Sequence, residues 1–246
     1  LLWIAAHFGS RGFGHSVASG FINLAQGRKF DDRAPGESMD QPPILFPVSS
    51  EIGQTYLRAM TLAGEYAYAG RRYVVKQVQD ILGVHVTHTV HNHHNFAWLE
   101  VHDGQSVYVV RKGATPAFPG QEGFVGGSMA DIAAIVEGVD TEENRLALRS
   151  TVHGAGRIMS RAAAKGKRTK RGEVKKQGLI TRKMMDERTR EFGVLVRGGD
   201  VDESPHVYRP LQSVLDAHAG SIRVKHILRP IGVVMAGADV HDPYKD

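Results

Sequence analysis

Between Lys112 and Met129 the chain sets Gly113, Gly120, Gly123, Gly126 and Gly127 among Pro116 and Pro119, a density of breakers that denies the segment a long helix or strand. A stretch of this length is expected to be a long ordered loop, and such loops inside compact domains are usually functional. The regular elements then lie on either side of it.

On the N-terminal side, residues 1 to 6 (Leu-Leu-Trp-Ile-Ala-Ala) read as a short buried strand. It enters a glycine-rich turn, His7 to His15, and then a helix to about Gly27, a layout that favours phosphate binding. Because this apolar run opens the chain without a methionine, the chain is expected to be a fragment of a longer protein. Residues 28–50, with Pro35, Pro42, Pro43 and Pro47, read as a surface loop. Ser49 and Ser50 offer caps for a helix beginning near Glu51, whose apolar residues Ile52, Leu57, Met60, Leu62 and Ala63 include the three-residue steps 57–60–63. A second helix is predicted over 73–82, a strand over 84–90 and a strand pair over 95–112. Residues 144–165 read as a helix broken near Gly154 and Gly156. The basic run Lys165 to Lys176 follows, most simply a solvated surface, and then short strands and a helix at about 209–219. With no repeat, heptad or linker, the fold class is α+β, one domain over residues 1–246 with mixed sheets, flanking helices and its N-terminal part missing.

The absence of cysteine excludes disulfides and thiolate metal sites, so any metal here is held by His, Asp or Glu. No apolar run reaches the roughly 20 residues of a membrane helix, and a cytoplasmic protein without membrane contact is expected. An excess of 31 basic over 26 acidic residues gives a mild bias towards phosphate-bearing partners. The 13 histidines include His85, His88, His91, His93 and His94, whose spacing lacks the second ligand group of familiar zinc sites.

Four segments join glycine to an imidazole or hydroxyl: His7 to Gly14, His91 to Asn95, Gly126 to Met129 and His153 to Arg157. Glycine lets backbone approach a ligand and present its N–H groups, and neutral imidazole binds divalent metals. The combination suits phosphate chemistry. Taken alone, each histidine is more often a hydrogen-bonded structural residue than a ligand.

In this order the segments resemble the RtcB family of RNA ligases. The matching strings are His-Phe-Gly-Ser-Arg-Gly-Phe-Gly-His at 7–15, His-His-Asn at 93–95, Arg-Lys-Gly-Ala-Thr-Pro-Ala-Phe-Pro-Gly at 111–120, and Gly-Gly-Ser-Met at 126–129. His-Gly-Ala-Gly-Arg-Ile-Met-Ser-Arg at 153–161 and Leu-Arg-Pro-Ile-Gly-Val-Val at 228–234 complete the set. The resemblance implies an enzyme that uses GTP and two manganese ions to join RNA 3'-phosphate or 2',3'-cyclic phosphate ends to 5'-hydroxyl ends, in tRNA splicing or RNA repair. It implies that His153 is the nucleophile that takes up the guanylyl group. His7 and His94 become metal ligands, with His93 the rival of His94 by one register. Arg11, Arg157 and Arg161 become phosphate contacts. His94, Asn95, Gly126, Gly127, Ser128, Met129, His153, Gly154, Ala155, Gly156 and Tyr208 would line the guanylate pocket. RNA ends, and an archease-type activator, are the implied partners.

Departures from the family pattern are also informative. The family's remaining metal ligands and an Asn-His-Phe segment lie upstream of the part matched here. Gly126 stands where proline is usual and Ala133 where a serine is expected. Met235-Ala236-Gly237 follows Val234, whereas the family closes on Val-Lys-Gly with a guanine-contacting lysine. Two alternatives follow: a family member that binds RNA ends or GTP without ligating, and a metal-dependent phosphoesterase that opens cyclic phosphates and stops there.

Overall fold

A computed structural model describes residues 1–33, 43–168 and 174–237. Helices and several small sheets make the predicted α+β architecture. Parts of the predicted 28–50 loop, of the basic run and of the C-terminal tail lie outside the described residues. The described residues divide into two compact units, residues 1–89 and residues 90–237.

The first unit is a helix pair. Helix α1 (Gly12–Ala25) packs against α2 (Glu51–Leu82), with Phe21 buried among Tyr56, Phe30 and Phe46 at ring-centroid distances of 5.1, 5.8 and 6.3 Å. As the sequence suggested, Ser50 caps α2, its side chain accepting from Gly53 N at 3.1 Å. The two helices predicted over this stretch are one of 32 residues. Gly70 does not break it: the missing side chain admits the Phe8 ring, and Arg71 donates to the Phe8 carbonyl at 2.7 Å. Residues 1–6 form no strand, and neither do 84–90. A strand requires a ladder partner for its N–H and C=O groups, and among the described residues neither segment has one.

The second unit carries the sheets. The predicted strand pair is β1 (Asn95–His102) and β2 (Gln105–Lys112), antiparallel about Asp103 and Gly104, both at positive φ (51° and 77°), as a tight hairpin of this hand requires. The glycine-rich segment is less irregular than expected, since β3 (Ala114–Pro116) and β4 (Glu122–Val125) form inside it. β5 (Ala133–Gly138) pairs with β4 on one side and on the other with β10 (Ile222–Leu228), in a three-stranded sheet.

The helix predicted over 144–165 is replaced by α3 (Glu142–Leu146), β6 (Ser150–Val152) paired with β3, and α4 (Arg161–Lys165). β7 (Gly166–Arg168) and β8 (Val174–Gln177) form a ribbon, and α5 (Arg182–Phe192), which sequence reading missed, precedes β9 (Leu195–Arg197). α6 (Leu211–Ala217) falls inside the predicted 209–219 helix, and β11 (Gly232–Val234) pairs in parallel with β9. Leu211, Val214 and Leu215 of α6 share a core with Val125, Ala134, Val136, Ile222 and Ala155. Ala155 is thus the buried foot of the His-Gly-Ala-Gly string.

Candidate active site

His153 follows β6, and its position is set by backbone. Gly126 N donates to the His153 carbonyl at 3.2 Å and Ala155 N to the Gly126 carbonyl at 2.9 Å, which joins the Gly-Gly-Ser-Met and His-Gly-Ala-Gly strings side by side. Contacts this close depend on glycine. A methyl group on Gly154 would lie 3.0 Å from the Gly126 carbonyl oxygen, and one on Gly127 would overlap the Ile132 carbonyl. Gly127→Ala is therefore expected to cost about 1–3 kcal/mol and to distort this turn, a loss of stability readable by urea titration. The turn is pinned from its far side by Asp131, whose carboxylate accepts from Leu211 N at 2.7 Å. Ser128 is partly buried and Met129 buried.

The His153 ring makes one decisive contact: Nδ1 lies 2.7 Å from the Gly113 carbonyl oxygen. A carbonyl can only accept, so Nδ1 carries a proton in this contact, and the tautomer it selects has its lone pair on Nε2. Gly113, at φ 71°, also donates its N–H to the His94 carbonyl at 2.8 Å. One glycine thereby ties both histidines, and the His94 ring stacks on that of His153 at 4.4 Å and 24°. His93, its one-residue rival, turns away and stacks on Phe96 at 5.1 Å.

The His93–His94 segment is held by Asn92 and Thr115. Asn92 donates to Thr115 Oγ1 at 2.7 Å and accepts from Phe124 N, while Thr115 Oγ1 donates to the His93 carbonyl at 3.1 Å. Asn95 begins β1 opposite Lys112 and is exposed. Sequence reading missed Gly113, Asn92 and Thr115 as site builders. The only signal was their place in or beside matched strings.

Beyond Gly156, at φ 72°, the chain enters a polar cluster. Tyr208 donates to Glu203 at 2.5 Å and accepts from Arg157 at 3.1 Å, and the Arg157 guanidinium lies 5.1 Å from the Tyr208 ring centroid. Burial, then the Glu203 carboxylate, pushes the Tyr208 hydroxyl up to about 12, so it serves as a neutral donor. Arg157 Nη2 is buried without a hydrogen-bond partner, an unused donor in this cluster. Arg161 is bound by Asp202 at 2.9 Å and by Glu203. Two of the arginines expected to contact RNA phosphate are thus engaged with a tyrosine and carboxylates.

Tips of Met129, Met185 and Met235 converge on Gly199, where a methyl group would sit 3.4, 3.6 and 3.5 Å from them. Met235 thus lies on the same side of Gly199 as Met129 of the Gly-Gly-Ser-Met string. Ala133 opens β5 opposite Leu228.

In the first unit, Phe8 is the anchor that places His7, through Gly70 and Arg71. Arg11 stands immediately before α1 at φ 56°, a conformation rare for a residue with a side chain. Ser10 Oγ accepts from Gly14 N at 3.0 Å, which closes the glycine-rich turn onto the helix. Among the described residues no three His, Asp or Glu side chains come together to hold a metal, and no helix is long and apolar enough to cross a membrane.

Residues 1–236 match the family model described as tRNA-splicing ligase RtcB. An RNA-splicing ligase RtcB1 of Escherichia coli is 32% identical over 241 residues, covering 94% of this chain and 55% of its own. The tRNA-splicing ligase RtcB of Archaeoglobus fulgidus is 32% identical over 265 residues, covering 95% and 52%, and that of Pyrococcus abyssi 31% over 264 residues, covering 94% and 27%. The chain thus spans from about a quarter to just over half the length of these relatives.

Proposed function

The chain belongs to the RtcB family, and from that premise we propose that it carries the guanylyl-transfer centre of a GTP-dependent RNA ligase, with His153 as the covalent nucleophile. The observation that carries this reading is the Nδ1–H bond from His153 to the Gly113 carbonyl, which leaves Nε2 as the free base and nucleophile.

In the proposed reaction the Nε2 lone pair attacks the α-phosphorus of GTP. The N–P bond forms as the bond to the bridging oxygen breaks, and pyrophosphate leaves. The proton stays on Nδ1, so the guanylylated ring is cationic, and the Gly113 carbonyl stabilises that charge. The guanylyl group then passes to an RNA 3'-phosphate, which restores neutral His153, and a 5'-hydroxyl displaces GMP to form the phosphodiester. A 2',3'-cyclic end must first be opened by water. Stacking on His94 limits rotation of the His153 ring, so the nucleophile is held in one orientation before substrate arrives. Glycines 126, 127, 154 and 156 with Ser128 and Met129 would bring backbone against the guanylate, Ala155 would anchor that wall, and Asn95 and Tyr208 would border it. Arg11, Arg157 and Arg161 are proposed to meet RNA phosphate.

Manganese is the ion we propose for this chemistry, where it would offset charge on the phosphate oxygens. His94, and separately His7, are each proposed as a manganese ligand, since imidazole suits the ion. The described residues alone do not complete a closed metal site. Substrates of this reading are RNA ends from tRNA splicing or RNA repair in the cytoplasm, with an archease-type activator as a partner.

The test is covalent labelling. The complete gene product, incubated with α-labelled GTP and Mn²⁺, is expected to carry an acid-labile label that γ-labelled GTP does not give. Wild-type protein that never labels sinks the ligase reading. It would favour a member that binds without ligating, a second reading motivated by the apolar setting of Met235.

A further inference from the structure

The basic run divides into two parts once folded. At its base the cations are neutralised: Arg161 faces Asp202 and Glu203, and Lys165 lies 2.8 Å from Asp200 and 3.1 Å from Asp202. Beyond Gly166 the chain leaves these carboxylates as the β7–β8 ribbon, a two-stranded sheet joined to no other strand among the described residues. Gly178 roots it on α4, since a methyl group there would strike the Ala164 carbonyl, and Gly166, at φ 77°, lets the two strands close on each other, since a methyl group there would strike the Lys176 carbonyl of β8.

The ribbon's own cations are arranged differently. Lys167, Lys175 and Lys176 are exposed, and none has an acidic partner among the described residues. Lys167 pairs directly across from Lys176, a cross-strand juxtaposition of like charges that is unfavourable by itself. Val174, Lys175, Lys176 and Gln177 are all exposed, so neither face of β8 is packed. An isolated two-stranded ribbon is marginal in water. Its unpacked faces and opposed lysines are both accommodated by an extended polyanion lying along it.

We propose that the β7–β8 ribbon tracks the phosphate backbone of the RNA strand whose end is processed at His153. This rests on the ligase reading for the identity of the polyanion; the charge arrangement stands without it. In sequence the ribbon follows the Ser160–Lys165 segment, which continues the His-Gly-Ala-Gly-Arg string.

The experiment uses the complete gene product, a fluorescent single-stranded RNA ending in a 3'-phosphate, and anisotropy over a range of salt concentrations. Lys167→Glu, Lys175→Glu and Lys176→Glu together are expected to weaken RNA binding about tenfold or more at low salt. They should also flatten the slope of log affinity against log salt by about 2, from three phosphate contacts at roughly 0.7 each. The triple Lys→Arg variant is expected to bind like wild type, and both variants to take up label from α-labelled GTP at the wild-type rate. Wild-type affinity and slope in the Glu variant would overturn the proposal, as would equal losses in the Glu and Arg variants. A wild-type protein that binds RNA but never labels refutes the ligase reading and leaves the ribbon to be judged on its own binding data.

Discussion

His153→Ala is expected to abolish covalent labelling from GTP and to lower RNA joining by at least about 10⁴-fold, the scale on which removal of a covalent nucleophile is felt. The reason is local. Nδ1 is committed to the Gly113 carbonyl at 2.7 Å, so Nε2 holds the lone pair, and alanine offers no atom in its place. Equilibrium binding of GTP should change far less, because the backbone pairing of residues 126 and 154 does not depend on the imidazole. Rapid-quench measurement of label uptake beside nucleotide binding separates the two. A variant that still labels at the wild-type rate would remove His153 from the chemistry.

The largest effect on stability is expected at Arg111, the first residue of one matched string. Its side chain is 1% exposed and grips Glu100 through two bonds of 2.7 and 2.9 Å. It also donates to Ser150 Oγ at 2.8 Å and to the Leu148 carbonyl at 2.9 Å, with Trp98 against its guanidinium. Leu148 and Arg149 both sit at positive φ, 49° and 52°, so this arginine clasps a strained turn that leads into β6 and His153. Arg111→Met should cost about 3–5 kcal/mol, because it leaves the buried Glu100 carboxylate with His102 as its partner in place of a two-bond guanidinium. Urea unfolding of the complete protein reads the loss, and a change below about 1 kcal/mol would contradict the buried-pair account.

The pH dependence has a definite sign. Burial alone would raise the Glu100 carboxyl, but the Arg111 and His102 hydrogen bonds outweigh it and hold the carboxyl below its ordinary value of 4.5. A depressed folded-state value contributes stability that is present above pH 4.5 and lost as pH falls through the lower value. The gap between wild type and Arg111→Met should therefore narrow below about pH 4.5, where the wild type loses this contribution and the variant's carboxyl is relieved of its charge.

Local signals carried much of the fold. The alternating residues on either side of Asp103-Gly104 made the β1–β2 hairpin legible, and Ser50 marked the start of α2. What stayed hidden depended on partners distant in sequence. β3 and β4 form within a glycine-rich stretch because β6 and β5 supply ladders from further along the chain. Residues 84–90 have strand-like alternation but no ladder among the described residues. The two helices predicted from Glu51 and over 73–82 are one, with Gly70 inside it as the seat of Phe8. The site divides in the same way. His153, His94 and the paired glycines were visible as side chains and motifs, whereas Gly113 acts through a backbone carbonyl that no residue type announces. Arg111 looked like part of a functional string and is a buried structural anchor.

The central claim is that one nitrogen of one residue takes up the guanylyl group. It is tested most directly by incubating the complete gene product with GTP and Mn²⁺, digesting under alkaline conditions that spare N–P bonds, and locating the adduct by tandem mass spectrometry. The guanylyl mass is predicted on His153 alone. An adduct on His94, whose ring lies 4.4 Å away, or on any lysine would contradict the assignment.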